Sequence, residues 1–252
     1  MTITQALLSG IVQGITEFFP ISSSGHLVIL HRIFGISEPQ VNFDIFLHFG
    51  SLLSILVFFH KDILALFKKD RQTLSFIIAA SLPTFIIAML FKDLVEKFFG
   101  LPKLVGLMLI LTGLWLVLTS WYAAKAHSTK RLGLFNSIII GIAQGVAIIP
   151  GISRSGSTIA TGILAGLEPA AAVRFSFLLG MPAILGANLI KSGSICKDLF
   201  CGGSLTYLVG GITSAIVGLV AIKILLNLVK NNKLYLFGLY CLAIGSMVII
   251  FI

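Results

Sequence analysis

The chain has 252 residues, 57% of them hydrophobic and only 11% charged, with a mean hydropathy of +1.07 and a formal net charge of +9. Soluble domains carry about 25% charged residues, so this composition excludes a water-exposed globular surface. The basic excess does not indicate nucleic-acid binding either. It lies in short segments between apolar runs, with no basic stripe interleaved with aromatics.

In chain order, residues 3–34 form an apolar stretch broken by Pro, Ser and Gly. Its first basic residue is Arg32 and it holds Glu17 among apolar neighbours, so it is expected to stay in the mature protein and not to act as a signal peptide. Residues 43–59, 74–91 and 104–122 follow as runs of membrane-spanning length. A second broken stretch, 133–167, precedes spans at 171–190, 205–228 and 234–252. Backbone in lipid must satisfy its own hydrogen bonds, which predicts helices; the alternating segments of a β-barrel are missing. Of three cysteines, Cys241 lies within the last span, while Cys196 and Cys201 share a loop where a disulfide is feasible.

Residues 10–25 read GIVQGITEFFPISSSG and residues 141–156 read GIAQGVAIIPGISRSG. Aligned at an offset of 131, they agree at 8 of 16 positions: Gly10, Ile11, Gln13, Gly14, Ile21, Ser22, Ser24 and Gly25. Chance would give about one or two agreements. The expected fold is therefore an all-α polytopic membrane protein with an inverted-topology repeat: about six transmembrane helices plus two re-entrant helix–loop–helix hairpins. It forms a single membrane domain over 1–252, with repeat 1 at 1–127 and repeat 2 at 133–252. Three spans per half turn the second half upside down, and the two hairpins should meet near mid-membrane. Lys61, Lys68, Lys69, Arg71, Lys125, Lys130, Arg131, Lys230 and Lys233 would face the cytoplasm, against Arg32, Lys92, Lys97, Lys103, Lys191 and Lys197 outside.

Ionisable residues at membrane depth are costly and default to functional candidates. Glu17, three hydroxyls (Ser22, Ser23 and Ser24) and His26 share the first motif, whereas Ser153, Arg154, Ser155 and Thr158 share the second. The alignment sets Ser23 opposite Arg154. If the hairpins meet, a nucleophile-type hydroxyl lies near a guanidinium whose planar fork suits phosphate. A Gly/Ser loop entering a helix N-terminus also offers N–H groups to an anion. Plainer roles stand beside these. Ser-Ser-Ser-Gly makes turns and caps, and Glu17 with Arg154 could be a structural bridge. Asp44 could cap a span, while His48 and Arg174 suit tuning or gating. His31, His60 and His127 suit interfacial or loop positions.

At these residues the chain resembles the undecaprenyl-diphosphatase, or bacitracin-resistance, family. That family is marked by (E/Q)xxxE, PxSSxGH and PGxSRSxxT, which stand here as Gln13–Glu17, Pro20–His26 and Pro150–Thr158. The resemblance implies an inner-membrane enzyme, opening outward, that hydrolyses a C55 polyprenyl diphosphate to the monophosphate and so confers bacitracin resistance. Catalytic roles then fall to Glu17, Ser23 as nucleophile, His26 as acid or base, and Arg154. Substrate binding falls to Ser22, Ser24, Ser153, Ser155 and Thr158. A divalent cation, Mg2+ or Ca2+, is also implied, with Glu17 and Gln13 as its ligands; Gln13 at the first acidic position disfavours a two-carboxylate site. Metal-activated water is the competing nucleophile. The partners are the polyprenyl diphosphate and membrane lipid, with self-association open. A transporter of a lipid phosphate or anion, on an inverted repeat, is the alternative function.

Overall fold

The computed structural model describes residues 1–36, 38–98, 100–123 and 131–251, the side chains at 96, 201 and 202 excepted. Lys125, His127, Lys130, the repeat boundary at 127, position 252 and the Cys196–Cys201 pairing lie outside the described residues.

The regular structure of the described residues is all helix, with no strand. In order they form α1 (Ile3–Thr16), α2 (Ser23–Ile33), α3 (Val41–Phe58), α4 (His60–Lys68), α5 (Arg71–Phe98) and α6 (Pro102–Ala123). The second half holds α7 (Leu134–Val146), α8 (Arg154–Leu164), α9 (Pro169–Asp198), a π turn (Leu199–Gly203), α10 (Ser204–Lys230) and α11 (Leu234–Phe251).

Among the described residues, six helices are long and apolar enough to cross a membrane: α3, α5, α6, α9, α10 and α11, each 18 to 30 residues long. At ~1.5 Å per residue the shortest spans about 27 Å, close to the ~30 Å of a hydrocarbon core. Their outward faces are apolar: Leu82, Leu90, Leu118, Leu189 and Ile216 are each at least 59% exposed. Such a surface needs lipid, so the protein is a multi-pass membrane protein. α5 and α9 run longer than the apolar runs at 74–91 and 171–190 because helix continues into polar ends carrying Lys92, Asp93, Lys97, Lys191 and Lys197. α4 occupies a stretch expected as a basic loop. Ile63, Leu64, Leu66 and Phe67 at helical spacing give it an apolar stripe that a count of basic residues conceals.

The two halves are joined by equivalent contacts. α1 packs on α10, and its counterpart α7 packs on α5. A Cβ on Gly10 would lie 2.5 Å from the Gly210 carbonyl oxygen, and one on Gly141 would collide with the Ala80 carbonyl. Only glycine admits such backbone approach. The last helices of each half, α6 and α11, form the most extensive pair. Gly106 faces Gly245 and Gly113 faces Gly238, with ideal Cβ positions 2.6–2.9 Å from the opposing carbonyl oxygens. Residue numbers rise on one helix as they fall on the other, so α6 and α11 are antiparallel.

The repeat is also visible at the level of capping. Ser22 caps α2 by accepting from the Gly25 N–H, and Ser153, offset by 131, caps α8 by accepting from the Gly156 N–H. The turns between α1 and α2 and between α7 and α8 therefore end on the same cap, although Ser22 has positive φ and Ser153 is extended. An apolar floor lies beneath them, where Phe18 meets Phe177 edge to face at 5.3 Å and Phe59 meets Phe177 at 5.9 Å.

Candidate active site between the two motif turns

The two turns touch. Ser22 holds positive φ (69°), unusual for a residue with a Cβ, and its Oγ accepts from the N–H of Gly151 in the other turn at 3.2 Å. In return, Ser155 Oγ donates to the Phe19 carbonyl at 3.2 Å. Thr112 on α6 locks the second turn, donating to the Gly151 carbonyl (3.0 Å) and accepting from the Ser153 N–H (3.2 Å). These bonds hold the N-termini of α2 and α8 side by side.

Glu17, at the end of α1, is the hub. Its Oε1 accepts from Arg154 Nη2 at 2.6 Å. Its Oε2 accepts from Ser23 Oγ at 2.6 Å and from Gln13 Nε2 at 3.0 Å, and His48 Nε2 lies 3.2 Å from the same oxygen. The Glu17 and Gln13 side chains are buried, whereas Arg154 and His48 reach a cavity of about 260 Å³. Glu17, Ser22, Ser23, Ser24, His48, Thr84, Gln144 and Arg154 are the polar residues that line that cavity. One carboxylate stands against a guanidinium and an imidazole, so its polar wall suits an anion. A second cavity, about 290 Å³ and mostly apolar, adjoins it through Ser24, Ile45, His48, Ile148 and Ala187 and extends past Phe85, Met89 and Ile190 to Lys92 and Lys191. A phosphate-sized polar end joined to an apolar channel is the shape an amphiphilic phosphate requires.

The family profile of the bacitracin resistance protein BacA matches residues 6–247 of this chain. The chain belongs to this family. Proteins named undecaprenyl-diphosphatase are similar over nearly the full length of both chains. That of Halothermothrix orenii is 43% identical, covering 99% of this chain and 98% of its own. That of Desulforapulum autotrophicum is 38% identical over the same shares. That of Rhodopirellula baltica is 40% identical, covering 98% of this chain and 96% of its own.

Within this BacA-family chain, Glu17, Ser23 and Arg154 are brought together from motifs 131 residues apart in register. Ser22 and Ser24 line the same cavity. Other sequence-derived candidates lie elsewhere. His26 is not at the cluster: its Nδ1 is bound to the Ser22 carbonyl at 2.7 Å, and its Nε2 lies 3.0 Å from the hydroxyl of Tyr240, on which the ring stacks. Three residues beyond Ser23 on a helix, it lies one turn further along α2, with both nitrogens engaged. Ser153, Ser155 and Thr158 are 1% exposed and engaged inside the protein: Ser153 caps α8, Ser155 ties the two turns and Thr158 meets Ser176 Oγ of α9 at 2.6 Å, and none of the three lines the cavity. Asp44 lies inside α3 as a buried side chain and makes no cap; His31 Nε2 stands 3.8 Å from its Oδ1. Arg174 pairs with Asp62 at 3.5 Å, away from the cavity.

From the sequence, neither Thr84 nor Gln144 is expected at the site, and His48 is expected to tune or gate. The repeat did hold a signal for Gln144, the counterpart of Gln13. Gln144 Nε2 donates to Thr84 Oγ1 at 3.3 Å, and the side-chain oxygens of both glutamines are buried with no hydrogen-bond partner. Thr84 and His48 arrive from spans with no local motif, and only packing brings them in.

Among the described residues no cluster of three His, Cys, Asp or Glu has the arrangement to cage a metal. Beside the Glu17 carboxylate, both glutamines carry a side-chain oxygen without a partner, Gln144 at the cavity and Gln13 behind it with its Nε2 turned to Glu17. This set suits a cation such as Mg2+, which binds one or two protein oxygens and completes its shell with substrate phosphate and water.

Proposed function

We propose that the protein hydrolyses undecaprenyl diphosphate to undecaprenyl phosphate and inorganic phosphate, returning the lipid carrier to use in cell-wall synthesis and thereby conferring bacitracin resistance. The observation that carries this reading is the Ser23–Glu17–Arg154 chain across the two turns, with 2.6 Å at each link. A short hydrogen bond from a hydroxyl to a carboxylate is how a serine is prepared for attack. The Ser23 proton passes to Glu17 Oε2 as Oγ bonds to the terminal phosphorus, and the bridging oxygen leaves with its electron pair on the polyprenyl phosphate. Arg154 turns its remaining N–H groups to the phosphoryl oxygens and stabilises the charge spread over them in transfer. Water then cleaves the phosphoserine, and Oγ recovers its proton. Glu17 and Gln13 would hold a divalent cation, which when bound neutralises phosphate charge. Ser22 and Ser24 line the phosphate cavity, and the adjoining apolar cavity takes the first isoprene units of the tail.

We read the two motif pairs as re-entrant hairpins of an inverted repeat, a view supported by the antiparallel α6–α11 pair and the matched α1–α10 and α5–α7 contacts. The basic residues around α4 support a cytoplasmic position for that end, which leaves the site opening outward across the inner membrane. A lipid-phosphate transporter would share this scaffold but have no use for a serine hydrogen-bonded to a buried carboxylate.

The test is phosphate release from a C15 or C55 polyprenyl diphosphate by detergent-purified protein, with and without EDTA. Wild type should release phosphate in a metal-dependent way. Ser23→Ala should lose more than about 1,000-fold of the rate, and Arg154→Ala about 100- to 1,000-fold. Lipid binding without any release by wild type would sink the phosphatase reading and favour transport.

A further inference from the structure

We infer that His48 is a positioning residue for this chemistry: its Nε2–H holds Glu17 with Oε2 turned to Ser23. The inference rests on the phosphatase reading above. His48 Nε2 lies 3.2 Å from Glu17 Oε2, and Nδ1 lies 2.7 Å from the carbonyl of Asp44, one turn back on α3. Both ring nitrogens thus face acceptors, so the ring is held from both sides. The carbonyl fixes the ring plane and the ring in turn fixes the carboxylate. Gln13 and Glu17 are successive turns of the same α1 backbone, and Ser23 is the group to be activated. Besides Ser23 on α2, His48 and Arg154 reach Glu17 from α3 and α8, one at each oxygen. Arg154 holds the other oxygen, Oε1, so His48 is the donor from outside the first motif that keeps Oε2 against Ser23 Oγ. The ring is a quarter exposed and walls both cavities, so it stands at the join between the polar and apolar ends.

In the transfer step the Ser23 proton moves to Glu17 Oε2, the Oγ–P bond forms and the bond to the bridging oxygen breaks. In the hydrolytic step the water oxygen bonds to phosphorus, the Oγ–P bond breaks and Oγ regains its proton. His48 takes no part in either proton transfer. A side chain that only fills space could be replaced by leucine. One that acts through its N–H could be replaced by glutamine, whose amide nitrogen has a similar reach.

The experiment compares wild type, H48Q, H48N and H48L in steady-state phosphate release from a C55 diphosphate, and in acid-quench labelling of the enzyme with a terminally ³²P-labelled substrate. H48L should lower kcat about 100-fold, the loss that follows a misplacement of about 1 Å, with KM little changed and labelling slowed by the same factor. H48Q should recover most of both. H48N, too short to reach Glu17, should behave like H48L and serves in its place if H48L does not fold. H48L with wild-type kcat, or H48Q as slow as H48L, would overturn the assignment. Wild type without hydrolysis would remove the phosphatase reading itself; active wild type with unimpaired H48L would remove only His48.

Discussion

Glu17 receives four donors from four other residues, and its neighbours differ in what they lose without it. Glu17→Gln keeps an oxygen for Arg154 but is a far weaker acceptor for the Ser23 proton. Turnover should fall below detection while the protein still elutes as a single species in detergent. Glu17→Ala leaves the largely buried guanidinium unpaired, and a stability loss of about 3–5 kcal/mol is expected in thermal unfolding. Ser155 separates two readings of the second motif. If its hydroxyl ties the turns together, as the bond to the Phe19 carbonyl indicates, Ser155→Ala should cost about 1 kcal/mol of stability. Its effect on KM should then be small. A large rise in KM with unchanged melting temperature would instead make Ser155 a substrate contact.

At the scale of elements, glycines decide which helices meet and where charged groups sit. A Cβ on Gly180 of α9 would strike the Arg154 guanidinium and no backbone atom among its nearest neighbours. A flexible side-chain end can move aside, so Gly180→Ala should fold with a near-normal melting temperature yet lose phosphate-release activity through a displaced Arg154. Gly113→Val is the opposite case. Its Cβ would meet the Gly238 carbonyl oxygen 2.7 Å away, a backbone atom that cannot swing aside as a side-chain end can. Overpacking of this kind costs about 1–3 kcal/mol, to be read as a lower melting temperature with kcat preserved in the folded fraction.

Over the whole molecule, the polar and apolar cavities form one path between α3, α5 and α9, with Ala187 at their shared wall. If the lipid tail leaves by this path, Ala187→Phe should raise KM for a C55 diphosphate more than for a short-chain analogue. Equal KM changes for both would place the tail elsewhere, for example along the groove of about 390 Å³ between Trp115, Val146 and Thr161.

Hydropathy alone determined that the chain crosses a membrane and where its long helices lie, because lipid demands both apolar side chains and internally satisfied backbone. The doubled motif determined that two broken helices exist, and its matched Ser and Gly are the caps and their donors: Ser22 with Gly25, Ser153 with Gly156. It also pointed to Glu17, Ser23 and Arg154, since scarce ionisable residues at depth have few other uses. The tertiary structure alone decided what each polar group faces. His26 is near Ser23 in sequence but one helical turn further along, bound to Tyr240 across 214 residues. Ser153, Ser155 and Thr158 turn inward because helix periodicity and the contact between the turns set their direction. His48, Thr84 and Gln144 enter from separate helices, where an apolar span around a lone polar residue looks the same whether that residue packs or works. Local pattern records the hydrogen bonds a segment makes with itself; a group of polar residues drawn from six helices is recorded only in how those helices pack.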